Sequence, residues 1–241
     1  MIRFCAPLLL LCAADAGGSV ALPASPEAAA RRFATLNNEV ALQSGEGKEL
    51  LAGELETLSA PGGGTLPPPD TVIRTAPGRA VARLPGAAGA DPDFYLSLEE
   101  SKGGWRVTAI RALALTGLVE EIIRLDAQAP SEDPEMRLAV LNAKLTLATD
   151  KELLRWAEEH RALFARARTE PHSAELVQAL KAAGATSVLE GDGRLVISIG
   201  GILDNEVGFL LPTTAPLPAI DGHTYIWIEP AIDGWYLFKT T

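Results

Sequence analysis

Phe94-Tyr95-Leu96-Ser97-Leu98-Glu99-Glu100-Ser101-Lys102-Gly103-Gly104-Trp105-Arg106-Val107 is the stretch that decides how this chain folds. Two runs of strand-forming residues flank a Ser-Lys-Gly-Gly turn, which predicts an antiparallel hairpin with strands over 94–99 and 105–113. Alternation places Phe94, Leu96 and Leu98 on one face and Tyr95 and Ser97 on the other. Upstream, 71–75 and 79–84 read as two further strands around Ala76-Pro77-Gly78. Before them, Ser25-Pro26-Glu27 joins an N-cap, a first-turn proline and an acid at the positive end of the dipole. The helix it opens carries Ala29, Phe33, Leu36 and Val40 at helical spacing and stops near Ser44-Gly45. A second helix is expected from about Lys48, with Leu51, Leu55 and Leu58 on one face. Pro61-Gly62-Gly63-Gly64-Thr65-Leu66-Pro67-Pro68-Pro69 then reads as a loop or surface arm.

Two helices followed by antiparallel strands, ending in Tyr95-Leu96-Ser97-Leu98, a Gly-Gly turn and Trp105-Arg106-Val107, resemble the nuclear transport factor two-like (SnoaL-like, cone-fold) superfamily over residues 26–117. The resemblance implies a curved sheet with helices closing a cone. This chain departs from it by lacking a third helix and one or two strands. The family includes isomerases, dehydratases and non-catalytic binding or accessory domains, so the resemblance leaves the activity open. No acid/base pair carries over.

Downstream the pattern turns helical. Leu118, Ile122 and Leu125 share one face of a first segment, and Pro130-Ser131-Glu132-Asp133-Pro134 breaks it. The segment 136–148 is apolar nearly all round, which predicts burial between layers. Thr149-Asp150-Lys151-Glu152 is a capping box for a third segment presenting Leu153, Trp156, Ala157, Phe164 and Ala167. From 171 a new unit begins with one helix, capped by Ser173 and ended by Gly184. Strands follow over 187–189, 195–202, 207–211, 224–228 and 235–240, with Pro212 to Gly222 as a long connection and candidate mobile rim. The whole reads as an α+β protein: a signal segment (1–21), an amino-terminal α+β cone-like domain (22–117), a helical connector (118–170) and a carboxy-terminal antiparallel sheet with one helix (171–241).

The 241 residues carry 21 Lys and Arg against 31 Asp and Glu, a net charge of −10, which argues against a nucleic-acid or anionic-membrane partner. Met1-Ile2-Arg3, the apolar Pro7-Leu8-Leu9-Leu10-Leu11 and the small residues of Ala14-Asp15-Ala16 read as a secretory signal cut after Ala16 or Ala21. That places the protein in a periplasm or outside the cell. The apolar run is too short to span a bilayer, and no later segment is long enough either. Both cysteines, Cys5 and Cys12, fall inside the signal, so the exported chain is expected to hold no disulfide. Lipid anchoring at Cys12 is the lesser alternative, because Leu11 stands where such signals have a small residue.

Little in the chain carries catalytic chemistry. His160, His172 and His223 lack ligand-like spacing, so neither a metal nor a cofactor is expected. His160, four residues from both Trp156 and Phe164, reads as a satisfied, part-buried imidazole. Ser198, in Ile197-Ser198-Ile199-Gly200-Gly201, reads as a strand residue beside a bulge, not a nucleophile. Gly62-Gly63-Gly64 lacks the residues of a phosphate loop. Asp91-Pro92-Asp93 and Asp204-Asn205-Glu206 fit turns better than a calcium frame.

The carboxy-terminal unit concentrates aromatics and acids. Six of the 13 Phe, Trp and Tyr residues follow residue 204, and the unit has 8 acids to 3 bases. In its last hairpin Ile226 and Ile228 are expected to face the helix. Tyr225, Trp227, Glu229 and Trp235 are left as the candidate surface for a protein, a glycan or a cationic small molecule, unless the first domain or the connector covers them. The function expected is therefore non-catalytic binding in the cell envelope. The alternative is a small isomerase, dehydratase or hydrolase with Asp93 or Tyr95 in a hollow cone; a third is a structural envelope protein.

Overall fold

The structure is a computed structural model of the whole chain, and it describes residues 21–38, 42, 45–56, 66–86, 93–113, 116–202, 205–221 and 224–240. Residues 1–20 of the expected signal segment, with Cys5 and Cys12, the glycine run, Asp91, Asp204 and His223 lie outside the described residues. The first sheet has four antiparallel strands in the order β1 (Thr71–Ala76), β2 (Arg79–Leu84), β3 (Phe94–Ser101) and β4 (Gly104–Arg111). Its β3–β4 turn needs glycine. Gly103 and Gly104 have φ of 102° and 143°, and a Cβ on Gly104 would lie 2.5 Å from the Pro23 carbonyl oxygen. That carbonyl accepts a hydrogen bond from Trp105 N, so the chain start is stitched to β4.

Helix α1 (Pro26–Asn38), with Ser25 Oγ accepting from Ala28 N at 3.2 Å, packs on this sheet. The expected second helix is divided into α2 (Gly45–Leu50) and a 3-10 turn over Gly53–Glu56. The break falls where Ala52 N donates to the Val107 carbonyl and Gly53 adopts φ 58°. Pairing with β4 displaces the helical bond there. Phe33, Leu36, Leu50 and Leu55 from these elements interlock with Ala82, Leu84, Leu96, Leu98, Trp105 and Val107. The expected face of the hairpin is thus the core face, and side chains fill the space between helices and sheet.

The second sheet is also antiparallel, ordered β5 (Ser187–Gly191), β6 (Arg194–Ile202), β7 (Asn205–Pro212), β9 (Tyr236–Thr240) and β8 (Tyr225–Pro230), which leaves β8 at an edge. Asp192 and Gly193 close the β5–β6 hairpin with φ of 50° and 69°, the paired positive angles of a tight hairpin turn. The bulge read around Ser198 is present, as a register shift between Ser198 and Gly200.

Five helices lie between and before these strands: α3 (Thr116–Gln128), α4 (Pro134–Thr146), α5 (Asp150–Glu159), α6 (Arg161–Thr169) and α7 (Ala174–Ala182). The sequence assigns α7 alone to the second sheet; the connector helices join it there. Leu153, Trp156 and Ala157 of α5, Phe164 and Ala167 of α6, and Leu176 and Leu180 of α7 share one core with Ile197, Phe209, Trp235 and Leu237. Aromatic edges organise it, Phe164 lying 5.0 Å from Phe209 and 5.3 Å from Trp235 between ring centres.

The capping box forms as read, with Thr149 accepting from Glu152 N and Thr149 N donating to Glu152 Oε2 at 2.9 Å. The long third segment is cut at His160, which ends α5 and precedes α6, stacks on Trp156 at 4.7 Å and bonds the Trp156 carbonyl through Nδ1. Helix α4 departs from the expectation of burial. Its second half packs on β6 through Val140, Ala143 and Asn142, whose Nδ2 donates to the Ile199 and Gly184 carbonyls, whereas Met136 and Leu138 stand exposed. Apolar composition alone does not fix what a helix meets. No helix among the described residues is long and apolar enough to cross a membrane.

Candidate functional site: a closed ionic junction between the sheets

Each sheet contributes charged side chains to a single buried junction. On β2 the run Ala80-Val81-Ala82-Arg83-Leu84 alternates, so Ala80, Ala82 and Leu84 enter the first core while Val81 and Arg83 point from the opposite face. Tyr95 of β3 shares that second face and meets Trp227 and Ile226 of β8. The two sheets touch here, with the Tyr95 and Trp227 rings 5.1 Å apart.

Arg83 spends all five N–H donors. Nε and Nη2 take the two carboxylate oxygens of Asp70 at 2.9 and 3.2 Å, and Nη2 also reaches Thr71 Oγ1 at 3.0 Å. Nη1 donates to Asp150 Oδ2 at 3.0 Å and to Glu229 Oε1. Its guanidinium lies 5.5 Å from the Trp227 ring centre. Asp150, the first residue of α5 and fully buried, gathers the rest. The Tyr95 hydroxyl lies 2.9 and 3.0 Å from its two oxygens, and Lys239 Nζ of β9 lies 2.8 Å from Oδ1. Asp93 closes the far side, accepting from Asp150 N at 2.6 Å and from Gly86 N at 2.7 Å, with Lys239 Nζ at 3.9 Å. Glu229 Oε1 also accepts from Trp227 Nε1 at 3.0 Å.

Burial and charge set the proton affinities. Burial works against Asp150, yet Lys239 and Arg83 outweigh it and hold the carboxyl below its ordinary value. Asp93 is raised, first by burial and then by the Asp150 charge. Glu229 is raised for the same two reasons. Tyr95 is pushed well above an ordinary phenol by burial, Asp150 and Asp93. Burial opposes the Arg83 charge, but Asp70, Asp150 and Glu229 more than offset it, so the guanidinium stays cationic.

These groups are of catalytic type, but they are closed to substrate. The 350 Å³ cleft on the second face of the first sheet is lined by Thr75, Arg79, Ser97, Thr108 and Ile220 among others, and by neither Asp93 nor Tyr95. The 560 Å³ groove lies elsewhere, between α3, α4 and α5. No family model matches the chain, and neither a curated protein nor a solved structure matches it. The chemistry must therefore be judged from this geometry, and the geometry is that of a structural lock: Arg83, Asp93, Asp150, Glu229 and Lys239 each face a partner across the sheet–sheet contact, and Asp70 braces Arg83 from its own side. Among the described residues no group of three His, Cys, Asp or Glu could hold a metal ion.

The candidate aromatic surface is a covered one. Trp227 is 0% exposed, Trp235 is 1% exposed and Glu229 is buried, so none of the three presents a free face to a partner. The first sheet covers Trp227 and Glu229 through Tyr95 and Arg83, and α6 covers Trp235 through Phe164. Tyr225 is half-buried against Phe238 at 5.9 Å. The expected isoleucine face is split as well. A register shift between Tyr225 and Trp227 breaks the alternation, Ile226 joins Trp227 against the first sheet, and Ile228 packs with Leu210 and Phe238. Arg83, Asp150 and Lys239 were not singled out from sequence. A signal existed for two of them, a lone cation inside an apolar strand in Ala80-Val81-Ala82-Arg83-Leu84 and in Leu237-Phe238-Lys239.

Outward-facing apolar side chains occur at the α3–α4 hairpin. Val119 is the one buried residue among the 13 of α3. Leu118, Ile122 and Leu125, at i, i+4 and i+7, form an exposed stripe, with Leu118 at 65% and Leu125 at 52%. On the other flank of α3, Ile123 and Ala127 line the groove with Leu141, Leu145, Leu147 and Ala148.

Proposed function

We propose that this is an exported, non-catalytic binding or accessory protein of the cell envelope, and that the α3–α4 hairpin is its binding element. The observation that carries the reading is the exposed Leu118–Ile122–Leu125 stripe on a helix that buries a single side chain. An isolated helix shorter than about 12–15 residues is marginal in water, so a helix of this kind gains most from a partner. The locked state of Arg83, Asp93, Tyr95, Asp150, Glu229 and Lys239 supports binding over turnover. In this reading the amino-terminal unit corresponds to the non-catalytic members of the cone-fold superfamily that it resembles. Export is supported by the basic start, short apolar run and small residues of the first 21 positions.

Two experiments test the reading. Amino-terminal sequencing of the protein from an envelope fraction is expected to start at Gly17 or Leu22; an uncut cytosolic chain overturns export, and a chain starting at Cys12 replaces a free product with a lipid-anchored one. A photo-crosslinking residue placed at Ile122 is expected to give a discrete adduct in the exporting cell, with none from the buried Val119. Absence of any adduct from both Ile122 and Leu125 overturns the hairpin as the binding element.

A further inference from the structure

Resting on that reading, we infer that the hairpin docks a cationic amphipathic helix of another protein, its apolar face against Leu118, Ile122 and Leu125 and its basic side chains toward the acids of the hairpin. Charge selects the occupant. Residues 116–146 hold six acids, Glu120, Glu121, Asp126, Glu132, Asp133 and Glu135, against Arg124, Arg137 and Lys144. Arg124 is already paired with Glu121 on the same helix. The link from α3 to α4, residues 129–133, and the first turn of α4 together carry three of those acids and no base.

The alternatives are disfavoured by the same charges. A second copy would bring a hairpin of net charge −3 and a −10 chain against their equals. An anionic lipid surface would be repelled likewise. A helix with lysines or arginines beside a leucine stripe meets both requirements at once. The 13 residues of α3 offer it about 20 Å of length. Helix-on-helix contact at i, i+4 and i+7 is an established way of reading such a stripe.

The experiment uses the purified full chain and a fluorescent leucine/lysine amphipathic helical peptide, titrated by anisotropy. Saturable one-to-one binding that weakens as salt is raised is expected. A leucine/glutamate peptide of the same pattern is expected not to bind. The variant Leu118→Ser/Ile122→Ser/Leu125→Ser keeps every charge and is expected to bind at least about tenfold more weakly, roughly the loss of one well-buried apolar contact. A second variant, Glu121→Gln/Glu132→Gln/Glu135→Gln, keeps the stripe and is expected to lose most of the salt dependence. Equal binding by the serine variant reduces the effect to an acidic surface and overturns the proposal. So does binding of the glutamate peptide, capture by phosphatidylglycerol vesicles, or sedimentation as a dimer that the serine variant abolishes. A cellular adduct from Ile122 together with no lysine-peptide binding overturns the cationic partner and leaves the hairpin as the binding element. Loss of both overturns the two together.

Discussion

Asp150 is the residue on which the junction turns. One carboxylate takes Arg83 from β2, Tyr95 from β3 and Lys239 from β9 while sitting at the positive end of α5. Breaking a buried ion pair by removing one partner costs about 3–5 kcal/mol, since the other charges stay buried without their counter-ion. Asp150→Asn is therefore predicted to lower unfolding stability by about that amount, measured in urea, and a cost under about 1 kcal/mol would show the cluster to be solvated. The proton affinities make a second prediction. Asp150 lies below its ordinary 3.8, so its contribution is complete above that value and vanishes as pH falls through the depressed one. Asp93 and Glu229 lie above their ordinary 3.8 and 4.5, so theirs is complete below those values and is lost as pH rises through the elevated ones. The summed contribution should peak around the ordinary values of 3.8 to 4.5 and decline on both sides. Glu229→Gln keeps an acceptor for Arg83 and Trp227 and should flatten the decline on the upper side only, visible in urea midpoints against pH; an unchanged slope there would assign it elsewhere. None of this was legible locally, because Asp150 already has a local explanation in the capping box and its partners lie 67 and 89 residues away in sequence, at Arg83 and Lys239.

At the scale of elements, what could be read was what short-range chemistry controls. The hairpin around Gly103-Gly104, the capping box at Thr149 and the bulge after Ser198 each follow from residues within a few positions of one another. The misread elements are those whose neighbours decide them. Trp227 was legible as a large aromatic beside an acid; that β8 would lie at the sheet edge, against the first sheet, was not. The apolar composition of α4 predicts burial all round, whereas only the half touching β6 is covered. The same inequality predicts dynamics. Opening free energy follows buried contact, so α3 amides should exchange with deuterium much faster than those of α5, which buries Leu153, Trp156 and Ala157. Adding the leucine/lysine peptide should slow α3 selectively. Protection of α3 equal to that of α5 in the free protein would mean that the helix already has a cover.

At the scale of the molecule, two sheets with separate cores are joined by a contact that is small but costly to open. Val81, Tyr95, Ile226 and Trp227 form its apolar part, and the junction of Arg83, Asp93, Asp150, Glu229 and Lys239 its ionic part. Buried ion pairs add little net stability over apolar packing of the same volume, but separating them exposes each half to the cost of an uncompensated charge. The contact should therefore act on cooperativity more than on the intrinsic stability of either core. The intact chain is predicted to unfold in one transition, with the calorimetric enthalpy equal to the van't Hoff enthalpy. Trp227→Ala removes the large side chain at the contact's centre, with an expected cost of about 3–5 kcal/mol, and it also takes the N–H donor from Glu229. That variant should split the melt into two steps, the lower one followed by loss of near-ultraviolet signal from the disturbed half. A single transition merely shifted to lower temperature would show that the sheets are coupled through the helical layer instead, by way of α5, whose first residue reaches both.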